Sequence, residues 1–265
     1  MEKLIYSYNN INSILFYIIM IKPEATPLQL QYSDDNLHEI GIDEAGRGPL
    51  FGRLYVAAVI LPKDRPFYHK DIKDSKKIKS RKKMALLSEY IKTNVLAYSI
   101  QYIEHSEIDT INIRQAVFKA AHQCIKSVCH AINHMDVDSR SETGKKNKFF
   151  IVMDGNDFIP YIEFDKTTDR MISIPHETIE GGDNKYMAIA CASILAKHER
   201  DTYMEDLCKT YPQLSEKYHL EKNMGYGTKR HLDGIAQYGI TQWHRRTYGR
   251  CKDAVYSPIE ETVPS

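Results

Sequence analysis

Four carboxylates in three separated segments carry the chemistry this sequence can offer: Asp43 with Glu44, Asp154, and Asp183. Each stands where an apolar stretch begins or ends. Carboxylates gathered together repel one another and lose hydration, so a chain that gathers them needs cations to neutralise them. An oxygen-only ligand set suits Mg²⁺ or Mn²⁺ rather than softer metals. The chemistry such a set supports is metal-assisted cleavage of a phosphodiester. Taken singly, each element has a plainer reading. Asp43-Glu44 ahead of Ala45-Gly46-Arg47-Gly48 also reads as an exposed turn. Asp154 ahead of Gly155 also reads as a turn-forming aspartate. Asp183 also reads as a first-turn acid favoured by a helix dipole.

Other chemistries find little support. Cys124, Cys129, Cys191, Cys208 and Cys251 form no CxxC pair and no Cys/His zinc spacing. Their number is odd, which fits reduced thiols in a cytosolic or nuclear setting. No GxxxxGK[ST] or GxGxxG phosphate loop occurs, which weighs against nucleotide-driven chemistry.

The elements that must position the acids follow from periodicity. Glu39 to Asp43 reads as a short strand ending in a glycine turn. Leu54 to Leu61 is an unbroken apolar run, the mark of a strand covered on both faces. Met84, Leu87 and Ile91 give helical spacing over Arg81 to Leu96, and Leu96, Tyr98, Ile100 and Tyr102 then alternate as a strand would. Glu107 to Met135 reads as one long helix with a single apolar stripe. Phe149 to Met153 is a buried strand that delivers Asp154, and Met171 to Ile174 suggests another short strand. Gly181-Gly182 precedes a helix from about Asp183 to Lys209. A last helix over Thr228 to Tyr238 is closed by Gly239. Strands alternating with helices predict an α/β fold with a mixed central sheet flanked by helices. The absence of strand signal after about residue 205 predicts a C-terminal helical cap.

The chain has 265 residues, 42% hydrophobic, with a net charge of +1. That length fits one domain with appendages. The predicted division is an N-terminal extension over 1–36, a catalytic core over 37–205, a helical region over 206–252 and a tail over 253–265. Global charge says nothing about a polyanionic partner, but Lys70 to Lys83 is locally dense in Lys and Arg. Such a run is ordinarily a solvated face. Ile14 to Ile21 is apolar but far short of the ~20 residues a membrane span needs, and no cleavage site follows it. Translation from Met20 is an alternative start.

In combination, these residues resemble the type II ribonuclease H family. Gly41-Ile42-Asp43-Glu44-Ala45-Gly46-Arg47-Gly48-Pro49-Leu50 looks like its first motif, and Lys73-Asp74-Ser75-Lys76-Lys77 like its basic loop. Ile108 to Ile113, Met153-Asp154-Gly155-Asn156, and Gly182-Asp183 with Ala192 to Lys197 and Arg200-Asp201 follow in order. Gly225-Tyr226-Gly227-Thr228-Lys229, His231-Leu232 and His244-Arg245-Arg246 complete the set. The likeness runs from about residue 38 to 250. It departs at Phe51-Gly52-Arg53-Leu54, at Asn184, and in a longer Gln213 to Met224 stretch.

The resemblance implies an RNase H-like core. It implies an endonuclease that cuts the RNA strand of RNA–DNA hybrids and cuts 5′ to single ribonucleotides in duplex DNA. Asp43, Glu44, Asp154 and Asp183 would be the catalytic metal ligands, holding Mg²⁺ or Mn²⁺ as a pair of ions. Gly46, Arg47 and Gly48 would sense the ribose 2′-hydroxyl, Tyr226 would stack at the RNA–DNA junction, and Ser75, Lys76 and Lys77 would touch phosphates. Lys197 is either a phosphate contact or a helix-surface partner of Asp201. The expected partner is nucleic acid, with no membrane, and the expected state is a monomer in the cytoplasm or nucleus. A catalytically silent nucleic-acid-binding subunit is the competing reading.

Overall fold

The computed structural model describes residues 27–33, 38–65, 67, 71–73, 75–138, 149–165 and 169–260. The alternative start at Met20, most of the N-terminal extension and the end of the predicted tail, 261–265, lie outside these residues.

Five strands form one sheet in the order β3-β2-β1-β4-β7, with β1 at His38–Ala45, β2 at Leu54–Ile60, β3 at Ala97–Ile103, β4 at Phe149–Asp154 and β7 at His176–Ile179. β1, β2 and β3 pair antiparallel, whereas β1–β4 and β4–β7 are parallel, so the α/β sheet is mixed. β2 is buried at every position, as its unbroken apolar run requires. A separate hairpin joins β5 (Ile162–Asp165) and β6 (Arg170–Ser173).

Two long helices cover the sheet. On one face Ile40, Ile42, Val56 and Ala58 pack with Ala116, Ala120, Cys124 and Val128 of α3 (Ile113–Asp138). On the other, Ala57 and Val59 pack with Ala188, Ala192 and Leu195 of α4 (Met187–Thr210) and with Met84, Leu87 and Ile91 of α1 (Arg81–Asn94). The first ten residues of α4 are all buried. They reach the sheet because β1 carries Gly41 there: a Cβ at that position would lie 2.5 Å from the Cβ of Ala188. The far half of α4 supports the C-terminal helices α5 (Pro212–Tyr218), α6 (Leu220–Asn223) and α7 (Lys229–Tyr238), whose apolar residues form a cluster around Phe51, Met204 and Tyr218.

Residues 27–33 are tied to the body of the fold. Gln29 donates to the carbonyl of Lys185 and accepts from the N–H of Met187, both at 2.8 Å, and Tyr32 stacks on Phe150. All five cysteines are buried and reduced. No helix among the described residues is long and apolar enough to cross a membrane.

Two expectations need correction. The long helix over Glu107 to Met135 is two, α2 (His105–Ile111) and α3, broken at Asn112 with φ +68°. Asn112 closes α2 by donating to the Ile108 carbonyl, and its Oδ1 accepts from the Gln115 N–H to open α3. Asparagine tolerates the left-handed region and caps both ends. The helix expected from Asp183 begins at Met187, and Asp183 lies in a 3₁₀ turn, Gly182–Asn184. In β3 it is Ala97, Ser99 and Ile103 that face inward, whereas Tyr98 and Tyr102 are exposed. Strand β7 was not anticipated.

Candidate active site

The parallel ladder between β1 and β4 runs to Ile42 opposite Met153. The next residues are Asp43 and Asp154, side by side beyond the paired region. Open α/β sheets place ligands off the carboxyl ends of their parallel strands. Successive strand residues face opposite sides. Asp43 therefore shares Gly41's side, under α4, where it is 5% exposed and hydrogen-bonded to Ser193. Glu44 turns the other way and lines a crevice of about 20 Å³ with Asp154, Arg47, Arg114 and Asp157. The strand then ends at Gly46, whose φ of +98° only glycine adopts readily. Beyond β4, an oxygen of Asp154 accepts the N–H of Gly182 at 2.7 Å, which sets the neighbouring Asp183 against the same strand end.

Burial raises Asp43 well above the usual carboxylate range, and the charges of Glu44 and Asp154 raise it further. Burial also raises Glu44, against the pull of Arg47, and Asp154 adds to the rise. The two groups therefore sense Asp154 as a near neighbour of like charge. Each acid meanwhile leans on its own donor: Asp43 on the Glu44 N–H at 2.7 Å, Glu44 on Arg47 at 3.5 Å, Asp183 on the Asn184 amide at 2.8 Å. Among the described residues, no three His, Cys, Asp or Glu side chains draw together tightly enough to form a finished metal cage. The donor set is all oxygen, with Asp43 and Asp183 buried and Glu44 and Asp154 half-buried, and its members repel one another, which fits a hard divalent cation.

The remaining sequence-derived residues surround this cluster. Ser75 lies 2.9 Å from Ser193, which itself bonds Asp43. Lys76 is close enough to Glu44 to draw its pKa down, and the Lys77 ammonium bonds the Asn184 side chain beside Asp183. Lys197 is ion-paired with Asp201 and borders a cavity of about 450 Å³ with Ser75 and Lys76. Gly48 faces Tyr226: a Cβ on Gly48 would sit 3.6 Å from the tyrosine ring, and Tyr226 is half exposed. The loop Gly46-Arg47-Gly48, which follows directly on Asp43 and Glu44, and Tyr226 are thus two walls that stand against each other at Gly48.

Sequence reasoning assigned no role to what holds those walls. Arg245 is fully buried and donates to the carbonyls of Gly46 (2.6 Å), Arg47 (3.1 Å), Pro49 (3.0 Å) and Gly52 (3.0 Å). A planar guanidinium with five donors can gather four carbonyls, and lysine cannot. Burial lowers its pKa to about 10, so it stays charged at neutral pH. Arg200, also buried, donates to the Met224 carbonyl at 2.8 Å and lies under Gly46. No local pattern separates Arg245 from its exposed neighbour Arg246.

Comparison with known proteins places the chain in a family. Residues 40–251 match the family model described as Ribonuclease HII. The chain is 39% identical over 219 residues to the ribonuclease HII of Parabacteroides distasonis, covering 83% of this chain and 94% of that one. It is 39% identical over 224 residues to that of Bacteroides thetaiotaomicron, covering 84% and 96%. In fold it resembles the crystal structure of ribonuclease H2 from Pyrococcus horikoshii, with a TM-score of 0.55 at 21% identity, covering 82% of this chain and 96% of that one. A strand-end cluster of acids, a glycine loop gathered by a buried arginine and a family match spanning the whole sheet and its cap make this chain a member of the ribonuclease HII family, a type II ribonuclease H.

Proposed function

We propose that the protein hydrolyses the RNA strand of RNA–DNA hybrids and also cuts 5′ to single ribonucleotides within duplex DNA, serving ribonucleotide excision and RNA primer removal. The observation that supports this reading is the gathering of Asp43, Glu44 and Asp154 at the strand end that runs straight into Gly46-Arg47-Gly48, with Gly48 facing Tyr226. Asp43, Glu44, Asp154 and Asp183 are the residues that would hold Mg²⁺ or Mn²⁺, as a pair of ions when substrate is bound. Divalent cations held there would supply Lewis acidity toward an attacking water and a departing 3′ oxygen.

The chain's own residues do the rest. Ser75, Lys76 and Lys77 bring phosphates to the cluster, which positions a duplex without reading its sequence. Lys197 contributes there only if Asp201 releases it. The Gly46-Arg47-Gly48 backbone meets the 2′-hydroxyl, the group that separates RNA from DNA. With its carbonyls anchored on Arg245, the loop needs no reordering to do so. Tyr226 stacks on the sugar that follows. The bond broken is P–O3′, which leaves a 5′-phosphate and a 3′-hydroxyl. The core over 37–205 carries the acids and the helical region over 206–252 carries Tyr226. The protein works as a monomer in the cytoplasm.

The test is a DNA duplex with one ribonucleotide, incubated with Mg²⁺ or Mn²⁺ or with chelator. Nicking 5′ to the ribonucleotide, lost on chelation and restored by added metal, is expected. Binding without nicking would instead identify a silent binding subunit. Tyr226→Ala is expected to slow cleavage at single ribonucleotides about ten-fold more than cleavage within RNA tracts, from loss of one stacking contact. Equal losses on both substrates would remove Tyr226 from the junction.

A further inference from the structure

Two histidines lie wholly inside the C-terminal region. His231 on α7 and His244 ahead of Arg245 are 0% and 1% exposed. Their Nε2 atoms are 3.1 Å apart. At the outer end of each ring, Nδ1 has a partner of fixed character. His231 Nδ1 is 2.9 Å from the carbonyl oxygen of Tyr226, which can only accept. His244 Nδ1 is 2.9 Å from the main-chain N–H of Thr241, which can only donate. The hydroxyl of Thr241 adds a second contact at 2.9 Å.

These ends dictate the protons between them. His231 must carry its hydrogen on Nδ1, so its Nε2 is a bare lone pair. His244 must be bare on Nδ1, so its Nε2 carries the hydrogen. The two facing nitrogens are then one donor and one acceptor. The result is a one-way chain: Thr241 N–H to His244, His244 to His231, His231 to the Tyr226 carbonyl. Burial lowers the pKa of both rings, and for His244 the proximity of His231 lowers it further, so each holds a single proton at neutral pH. Phe51 meets the His244 ring edge-on at 4.9 Å and Tyr218 packs against it at 5.1 Å, so the ring cannot swing away.

The neighbour of His244 makes this chain more than packing. Arg245 holds the carbonyls of the loop whose Gly48 faces Tyr226. Its own N–H donates to Leu50 at 2.8 Å, and Gly52 donates to Trp243 at 2.9 Å. One short segment therefore reaches both walls, the glycine loop through Arg245 and the tyrosine through His244 and His231.

We infer that His244 and His231 are positioning residues that set the place of Tyr226 against the Gly46-Arg47-Gly48 loop, and so fix preference for a ribonucleotide–DNA junction. The inference rests on the junction role given to Tyr226 above.

The enzymatic test compares two variants at one position. His244→Phe keeps an aromatic ring against Phe51 and Tyr218 but removes the donor. His244→Gln keeps an amide N–H that reaches His231. His244→Phe is expected to lower the ratio of single-ribonucleotide to RNA-tract cleavage about ten-fold, about 1.4 kcal/mol in the transition state, with His244→Gln within about two-fold of the parent. Thermal melting of both variants separates this from loss of fold. If the Phe and Gln variants show the same ratio while Tyr226→Ala depresses it, the positioning role is wrong and the junction reading stands. If Tyr226→Ala leaves the ratio unchanged, the junction reading fails, and nitrogen-15 NMR of the unaltered protein still decides the chain of hydrogens. His231 is expected as the Nδ1–H tautomer and His244 as the Nε2–H tautomer; any other pairing overturns it.

Discussion

Asp43 sits where an ionised carboxylate is least favoured, under a helix, almost without solvent, beside two other acids. Folding tolerates this because Ser193 and the Glu44 N–H solvate part of the charge. Asp43→Asn removes the repulsion while keeping the shape. It is expected to cost more than about 100-fold in cleavage, since even supporting partners of metal ligands cost that much. It is also expected to raise the Tm of the metal-free protein by about 2–4 °C, the shift that roughly 1 kcal/mol gives a domain of this size. Melting curves in chelator check this, and a lower Tm for Asp43→Asn would show that the site is not under strain. The acids were legible because a charged residue ending an apolar run stands out in a sequence. Arg245 was not, because one of two adjacent arginines being buried is decided by carbonyls nearly two hundred residues earlier in the chain.

The element that matters most is α4, whose buried first turns pack directly against β1. Gly41 permits that approach, with Ala188 backbone as well as its side chain in the way of any Cβ. Gly41→Ala must push the helix and strand apart, at a cost of about 1–3 kcal/mol for overpacking. Ser193 rides on that helix and Asp43 on that strand, so cleavage is expected to fall even at temperatures where the variant remains folded. Circular dichroism alongside the nicking assay separates the two, and full activity in a folded variant would contradict the account. β2 and β4 were legible because strands covered on both faces must be continuously apolar. β7 was not: His176-Glu177-Thr178-Ile179 is mostly half-buried or exposed and has no apolar alternation. The break at Asn112 was hidden because the apolar stripe continues through it, and a single residue with positive φ leaves periodicity untouched. β3 was legible from alternation alone, although Tyr98 and Tyr102 point outward, because tyrosine suits a strand on either side.

Across the molecule, the buried histidines make stability depend on pH with a definite sign. Both rings have folded pKa values below the ordinary 6.5. Below that value the unfolded chain binds protons that the folded chain refuses, so stability is full above about pH 7.5 and falls as pH drops through the sixes. Each histidine contributes a slope of up to about 1.4 kcal/mol per pH unit. The raised carboxyls of Asp43 and Glu44 act oppositely, since the folded state takes up their protons first. Denaturant titrations of the parent and of a His231→Asn, His244→Gln double variant isolate the histidines: the parent's curve is expected to fall more steeply between pH 7.5 and 5.5. Parallel curves would mean the rings are protonated in the native state.

The burial of every thiol has a practical consequence. Burial pushes Cys124 and Cys129 up to about 12 and Cys251 to about 11, so none is a reactive thiolate at neutral pH. A maleimide can reach them only when the packed interior comes apart. The speed of alkylation under native conditions is therefore a built-in clock for how often this nuclease opens.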